Sequence, residues 1–185
     1  MSGSSGVEID GLNVDSGRYG VRLASGAAGK LSIANMDLDG QTQDALVLSK
    51  DLTLEASGTI QNAGGSGIRI LSASTGDWLF DGLNIDNNGV GVEHEGSGNL
   101  RLTDTILMGN NQDVDLSGSA TMEFLEGDVS QSGISATDNS KFTRLRSLDV
   151  DVTADSSGVA DSPVKILDGD NYVIDSGITN TNNTI

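Results

Sequence analysis

The chain has 185 residues, 27 acidic against 10 basic side chains, a formal net charge of −17, 25 glycines, one proline and no cysteine. A surface this acidic repels nucleic acid and anionic membranes, the missing cysteines exclude disulfides, and no apolar run approaches the ~18 residues of a membrane-spanning helix. No stretch of helix formers carries a 3.6-residue period, so the expected elements are strands and turns.

Residues 1–6, Met-Ser-Gly-Ser-Ser-Gly, read as a flexible leader and resemble an expression linker. Residues 7–185 read as one domain built from a repeated pair of strands. The first copy is Val7-Glu-Ile9-Asp-Gly-Leu12-Asn-Val14, a polar turn, and Gly20-Val21-Arg-Leu23. Trp78-Leu-Phe80-Asp-Gly-Leu83-Asn-Ile85, Asp86-Asn87-Asn88-Gly89 and Gly91-Val92-Glu-His94 repeat it. Self-similarity at this period marks a solenoid. First strands are expected to start near Val7, Leu31, Leu52, Trp78, Leu100, Met122, Thr143 and Tyr172. Alternate side chains share a face, so the inward set of the first copy is Val7, Ile9, Leu12 and Val14. The step of three across Gly11 or Gly82 suits a bulge or corner. Second strands add Val21/Leu23, Leu46/Leu48, Ile68/Ile70, Val92/His94, Val114/Leu116, Ile134/Ala136 and Val164/Ile166. One coil cannot bury its four to six apolar residues; stacked parallel coils, about 4.8 Å apart, bury them as a column. Turn residues such as Asp39-Gly40, Asn62, Asn87-Asn88-Gly89 and Asn110-Asn111 recur after the strands and are expected to stack as ladders.

The predicted fold is all-β, a right-handed parallel β-helix (β-solenoid) of about seven to eight coils. Segments such as Gly65-Ser-Gly-Ile68-Arg-Ile70 and Gly98-Asn-Leu100-Arg-Leu102-Thr-Asp-Thr105 resemble the coils of the pectate-lyase-like superfamily. The resemblance implies a secreted or cell-surface protein. It does not imply one activity, because the fold hosts lyases, hydrolases, adhesins and inert stalks. The chain stops at Asn182-Asn-Thr-Ile185, within an expected coil, so a segment excised from a longer exported protein is expected.

The chemistry-bearing residues are weighed in turn. Asn35-Met-Asp37-Leu-Asp39-Gly40 imitates the start of an EF-hand loop, but the twelfth position is Leu46 where glutamate is needed. The better cation candidates are the outward acidic positions Asp37, Asp39, Asp128, Asp149 and Asp151. Stacked at coil spacing they would repel one another or hold Ca²⁺ through hard oxygen ligands; a solvated acidic face is the simpler expectation. No other cofactor is expected.

Polysaccharide cleavage needs convergent carboxylates and a basic group. The hydrolase motifs of the resembled family are missing, leaving Arg144 and Arg146 near Asp128, Lys141 and Asp149 as the nearest approach to a lyase site. His94, the single histidine, falls in an inward column and is expected to be structural. Most aromatics also point inward, which leaves Tyr19 as a lone platform for sugar. The outward column is expected to read Glu8, Ser32, Thr53, Leu79, Arg101, Glu123, Arg144. That mixture is unlike the threonine ladder of an ice-binding face.

The expected role is a non-enzymatic structural or adhesive segment of an extracellular β-solenoid. The alternative is a carbohydrate-active β-helix fragment that binds or cleaves polysaccharide. Expected partners are extracellular carbohydrate or further coils of the parent protein. End-to-end self-association is also expected, because cut solenoid ends expose strand edges.

Overall fold

A computed structural model describes residues 6–23, 29–48, 53–146, 153–154, 157–158, 163–167 and 173–178, with side chains described up to residue 146. Two compact units, 1–146 and 147–185, are present.

The first unit is the expected parallel solenoid. Its long sheet stacks Gly6–Asp10, Lys30–Asp39, Thr53–Gln61, Asp77–Asp86, Asn99–Thr103, Thr121–Leu125 and Lys141–Leu145 as seven successive rungs, each pairing parallel with the next. The second sheet stacks Val21–Leu23, Leu46–Leu48, Ser66–Ile70, Val90–His94, Gln112–Leu116 and Ile134–Ala136 in the same way. The described residues thus supply both strands of six coils and the first strand of a seventh. At about 4.8 Å per step the seven rungs span about 29 Å.

The apolar residues meet like with like. Leu23, Leu48, Ile70, His94, Leu116 and Ala136 occupy one register column, and Val21, Leu46, Ile68, Val92, Val114 and Ile134 another. Facing them on the long sheet, Leu31, Leu54, Trp78, Leu100, Met122 and Phe142 form a third column. The middle of the stack is dry: Leu54, Phe80, Ile85, Ile68, Leu102 and Leu116 are all fully buried. Burial of this kind contributes about 1.5–3 kcal/mol per large side chain.

Turn chemistry stacks too. Ser16, Gly40, Asn62, Asn87 and Gly109 all adopt positive φ, between 58° and 72°, at equivalent corners. Asn62 donates to Asp39 Oδ1 at 2.7 Å and Asn87 donates to Asn62 Oδ1 at 3.2 Å, so the expected amide ladder forms. A second ladder lies inside the turn. Asn88 donates to the Ile60 carbonyl and its Oδ1 accepts the Ala63 N–H; Asn110 does the same for the Ile85 carbonyl and the Asn88 N–H. These bonds satisfy backbone groups that the bend removes from the sheets.

Three sequence expectations are corrected. The third coil registers on Leu54, which pairs with both Leu31 and Trp78, and not on Leu52; Leu52 itself lies outside the described residues. A slip of two residues keeps the same face inward, so alternation alone cannot choose between the two. The seventh rung registers on Phe142, opposite Met122, and not on Thr143. Phe142 packs against Phe124 with ring centroids 6.2 Å apart, more apolar area than threonine offers. The eighth coil expected at Tyr172 is not a parallel rung. In the second unit Pro163–Leu167 pairs antiparallel with Val173–Ile178, and Thr153–Ala154 pairs antiparallel with Ser157–Gly158. Tyr172 lies outside the described residues.

The bend in the third coil depends on Gly58, which has φ +128° and registers between Met36 and Leu83. A Cβ there would clash with the Met36 carbonyl oxygen, whereas one on Gly82, at φ +64°, would meet nothing within 4 Å. Gly58→Ala is therefore expected to cost about 3 kcal/mol or more, and Gly82→Ala only the ~1–2 kcal/mol of a left-handed alanine. Denaturant unfolding of the two variants checks this, and equal losses would contradict the packing assigned to Gly58.

Candidate functional site

Function on a solenoid resides in the side chains that point away from the core. On the long sheet one outward column is Glu8, Ser32, Glu55, Leu79, Arg101, Glu123 and Thr143. Glu55 and Thr143 stand where Thr53 and Arg144 were expected, a direct consequence of the two register corrections. The charges in this face pair from coil to coil. Lys30 meets Glu55 at 2.7 Å and Arg101 meets Glu123 at 3.6 Å; as exposed pairs they contribute less than about 1 kcal/mol each. Asn99 donates to Asp77 at 3.0 Å, and Thr121 donates to Asn99. A shallow groove of about 510 Å³ runs over Glu55, Asp77, Leu79, Arg101, Glu123 and Lys141.

The second sheet holds a constellation that the sequence reading missed. Arg69 reaches Glu95 at 2.9 Å, Glu93 at 3.5 Å and Asp44 at 3.7 Å, joining three consecutive coils. Ser66 donates its hydroxyl to Glu93 at 2.5 Å and its backbone N–H to Asp44 at 2.9 Å. Burial pushes the Glu93 carboxyl above its ordinary range, against the pull of Ser66 and Arg69, and the neighbouring Glu95 adds to the push. The available signal was register. Glu93 pairs directly with Arg69 one coil on, and Glu95 lies two residues further.

Asp37, Asp39 and Asp128, the described cation candidates, do not converge. Asp37 stands between Asn13 and Thr59, and Asp39 between Asp15 and Gln61. The remaining outward positions of these columns include Asn84 and Ile106 before Asp128, and Asp86 and Met108. Amide, hydroxyl and apolar side chains thus interrupt the stacked carboxylates and relieve their repulsion. Asp39 accepts from Asn62, and Asp128 lies 3.7 Å from Arg146. Among the described residues no group of three or more His, Cys, Asp or Glu side chains is placed to hold a metal ion. Asp149 and Asp151 lie outside the described residues.

Arg144 and Arg146 do lie together, but on the backbone. Both donate to the Gly127 carbonyl, at 3.3 and 3.0 Å. At the equivalent corner of earlier coils that acceptor takes a backbone N–H from the next coil: Asp37 N–H bonds the Leu12 carbonyl, and Asp128 N–H the Thr105 carbonyl. The two guanidinium groups therefore bond an acceptor that takes a backbone N–H in those coils. Tyr19 is not a bare platform, since the Arg18 and Arg22 guanidinium carbons each lie 5.3 Å from its ring centroid.

His94 is fully buried in its inward column. Its Nδ1 accepts the Gly96 N–H at 3.1 Å and its Nε2 lies 3.0 Å from the Gly98 carbonyl, which places the proton on Nε2. Its ring meets Trp78 edge-on, with centroids 5.6 Å apart. Both ring nitrogens are thus taken by the turn, and neither is offered to solvent. Desolvation lowers the imidazole pKa, and the Gly98 hydrogen bond only partly opposes it.

No family model matches the chain, and no curated protein or solved structure matches it either.

The His94 environment sets a pH dependence. Its folded pKa is below the unfolded value of about 6.5, so the unfolded chain binds the extra proton first. The stabilising contribution is complete above about pH 6.5 and is lost as pH falls from there through the folded pKa. Unfolding midpoints measured from pH 8 down to about pH 5 should fall in this window for the wild type, and His94→Leu should flatten that part of the curve. An unchanged curve in the variant would assign the dependence to other groups.

Proposed function

We propose that this chain is a non-catalytic structural or adhesive segment of an extracellular β-solenoid. The observation that carries the reading is the way its reactive-looking side chains are spent. Arg144 and Arg146 hold the Gly127 carbonyl, Arg69 holds three carboxylates across three coils, and His94 is sealed beside Trp78. Each contact ties one part of the stack to another, and none leaves a nucleophile, base and electrophile facing a common point. A repeat of short strands is an economical stiff spacer, because each added coil extends the core by one rung. The acidic, glycine- and asparagine-rich surface, free of cysteine, suits an exported protein, and cations held loosely by Asp37, Asp39 or Asp128 are compatible with it.

One observation favours a second reading, in which the chain binds or cleaves polysaccharide. The groove over the long sheet brings Glu55, Asp77 and Glu123 near Arg101 and Lys141. Polar rows of this kind can hydrogen-bond an extended sugar chain.

Turnover separates the two. The protein incubated with a panel of neutral and uronate-containing polysaccharides should release neither reducing ends nor unsaturated products. Reproducible cleavage that disappears in Arg101→Ala or Glu123→Ala would replace the structural reading with the catalytic one.

A further inference from the structure

Ser32, Glu55, Leu79, Arg101 and Glu123 follow one another in register across five consecutive coils on the outer face of the long sheet. Leu79 is the middle member of the five, their one apolar side chain, and 40% exposed. A single exposed leucine is ordinary; the order of the charges around this one is not. Outward from Leu79, one direction gives Glu55 and then Ser32, and the other gives Arg101 and then Glu123. The charged members are half-exposed, as is Lys30 beside Glu55.

We propose that this face docks on the same face of a second copy, with the two stacks antiparallel and Leu79 on the two-fold axis. Turning one copy end over end about an axis along its strands maps each coil onto the coil equally far beyond Leu79. Glu55 then faces Arg101 of the second copy, Ser32 faces Glu123, and Leu79 faces Leu79. The contact is isologous, so each unlike pair occurs twice. Packed sheets lie about 10 Å apart, a gap that a glutamate and an arginine reaching toward each other can close. Lys30 lies two residues along the strand from Ser32 and comes beside the same Glu123, the diagonal relation it has to Glu55 within its own chain.

The other two-fold arrangement, with the stacks parallel, sets Glu55 on Glu55 and Arg101 on Arg101, so the charges select the antiparallel pair. An apolar centre within a polar rim is the common anatomy of a contact between proteins. Asp77 and Asp81 oppose it. Both are exposed on the rung of Leu79, and each faces its own copy across the axis. Asp77 already accepts from Asn99 at 3.0 Å. A small apolar centre and these like charges make the dimer weak and reversible. Two copies complete the contact, and the pairing closes the groove over Leu79. The pairing does not depend on the structural role proposed above.

Sedimentation velocity of the full chain over a range of concentrations tests the dimer, at about 0.15 M salt so that charges beyond about 8 Å are screened. Growth is expected to stop at two copies, and Leu79→Ser should weaken association about tenfold. Glu55→Arg and Arg101→Glu each set like charges across the axis and should each weaken it by about tenfold. Mixed in equal amounts, these two variants should form heterodimers, because every charge then meets its opposite. Asp77→Asn removes a repulsive contact and should strengthen association about threefold. Circular dichroism melting of each variant confirms that it is folded. A protein monomeric at every concentration leaves the face to a different occupant and overturns the proposal. Growth past the dimer, a mixture no better than its parts, or dimers indifferent to Leu79→Ser would overturn it equally.

Discussion

Everything in the first unit depends on the pairing of each coil with the next in strict parallel register. A single coil has too few residues to enclose its own apolar side chains, and its strands carry no partners within the coil. Both deficits are met by the same neighbour, about 4.8 Å away. Register then decides every other property. A shift by one residue would turn the Leu31–Phe142 column outward and bring the Glu8–Thr143 column inward.

That constraint explains why the surface is organised as it is. A residue on one rung has a fixed neighbour on the next, either directly across or two residues along. Lys30–Glu55 and Arg69–Glu95 use the diagonal, and Arg69–Glu93 and Arg101–Glu123 the direct position. The chain of −17 net charge avoids continuous carboxylate stacks by the same rule, with Thr59 and Gln61 placed next to Asp37 and Asp39. The asparagine ladders Asn62–Asn87 and Asn88–Asn110 serve corners where the backbone leaves both sheets.

How much of this is legible in the sequence depends on how strongly each segment punishes a slip. All six described rungs of the second sheet are readable, because each is a short strand beside polar turns, in most cases an apolar–polar–apolar triplet, and so permits one register. The third coil is not, because Leu52, Leu54 and Ala56 alternate over one more step than the sheet uses. The seventh fails because Phe142 and Thr143 compete, and the contact with Phe124 that decides between them is between coils. The Arg69 cluster escapes a linear reading for a related reason: Asp44, Arg69 and Glu95 are 25 and 26 residues apart and become neighbours only through the register. Arg144 and Arg146 are visible as a basic pair, but the Gly127 carbonyl that holds them is a backbone group with no mark in the sequence. The buried state of His94 is readable from its column, while its bonds to Gly96 and Gly98 come from the turn geometry.

Disulfide trapping in this cysteine-free chain tests the register most directly. Residues directly across adjacent rungs lie within the ~4.4–6.8 Å Cα separation that a disulfide requires, whereas a pair displaced by two residues exceeds about 7 Å. Under mild oxidation, Glu55→Cys with Leu79→Cys should crosslink quickly and quantitatively in the folded protein, and Thr53→Cys with Leu79→Cys should remain reduced. The reverse pattern would contradict the register on which the columns and the ion pairs depend.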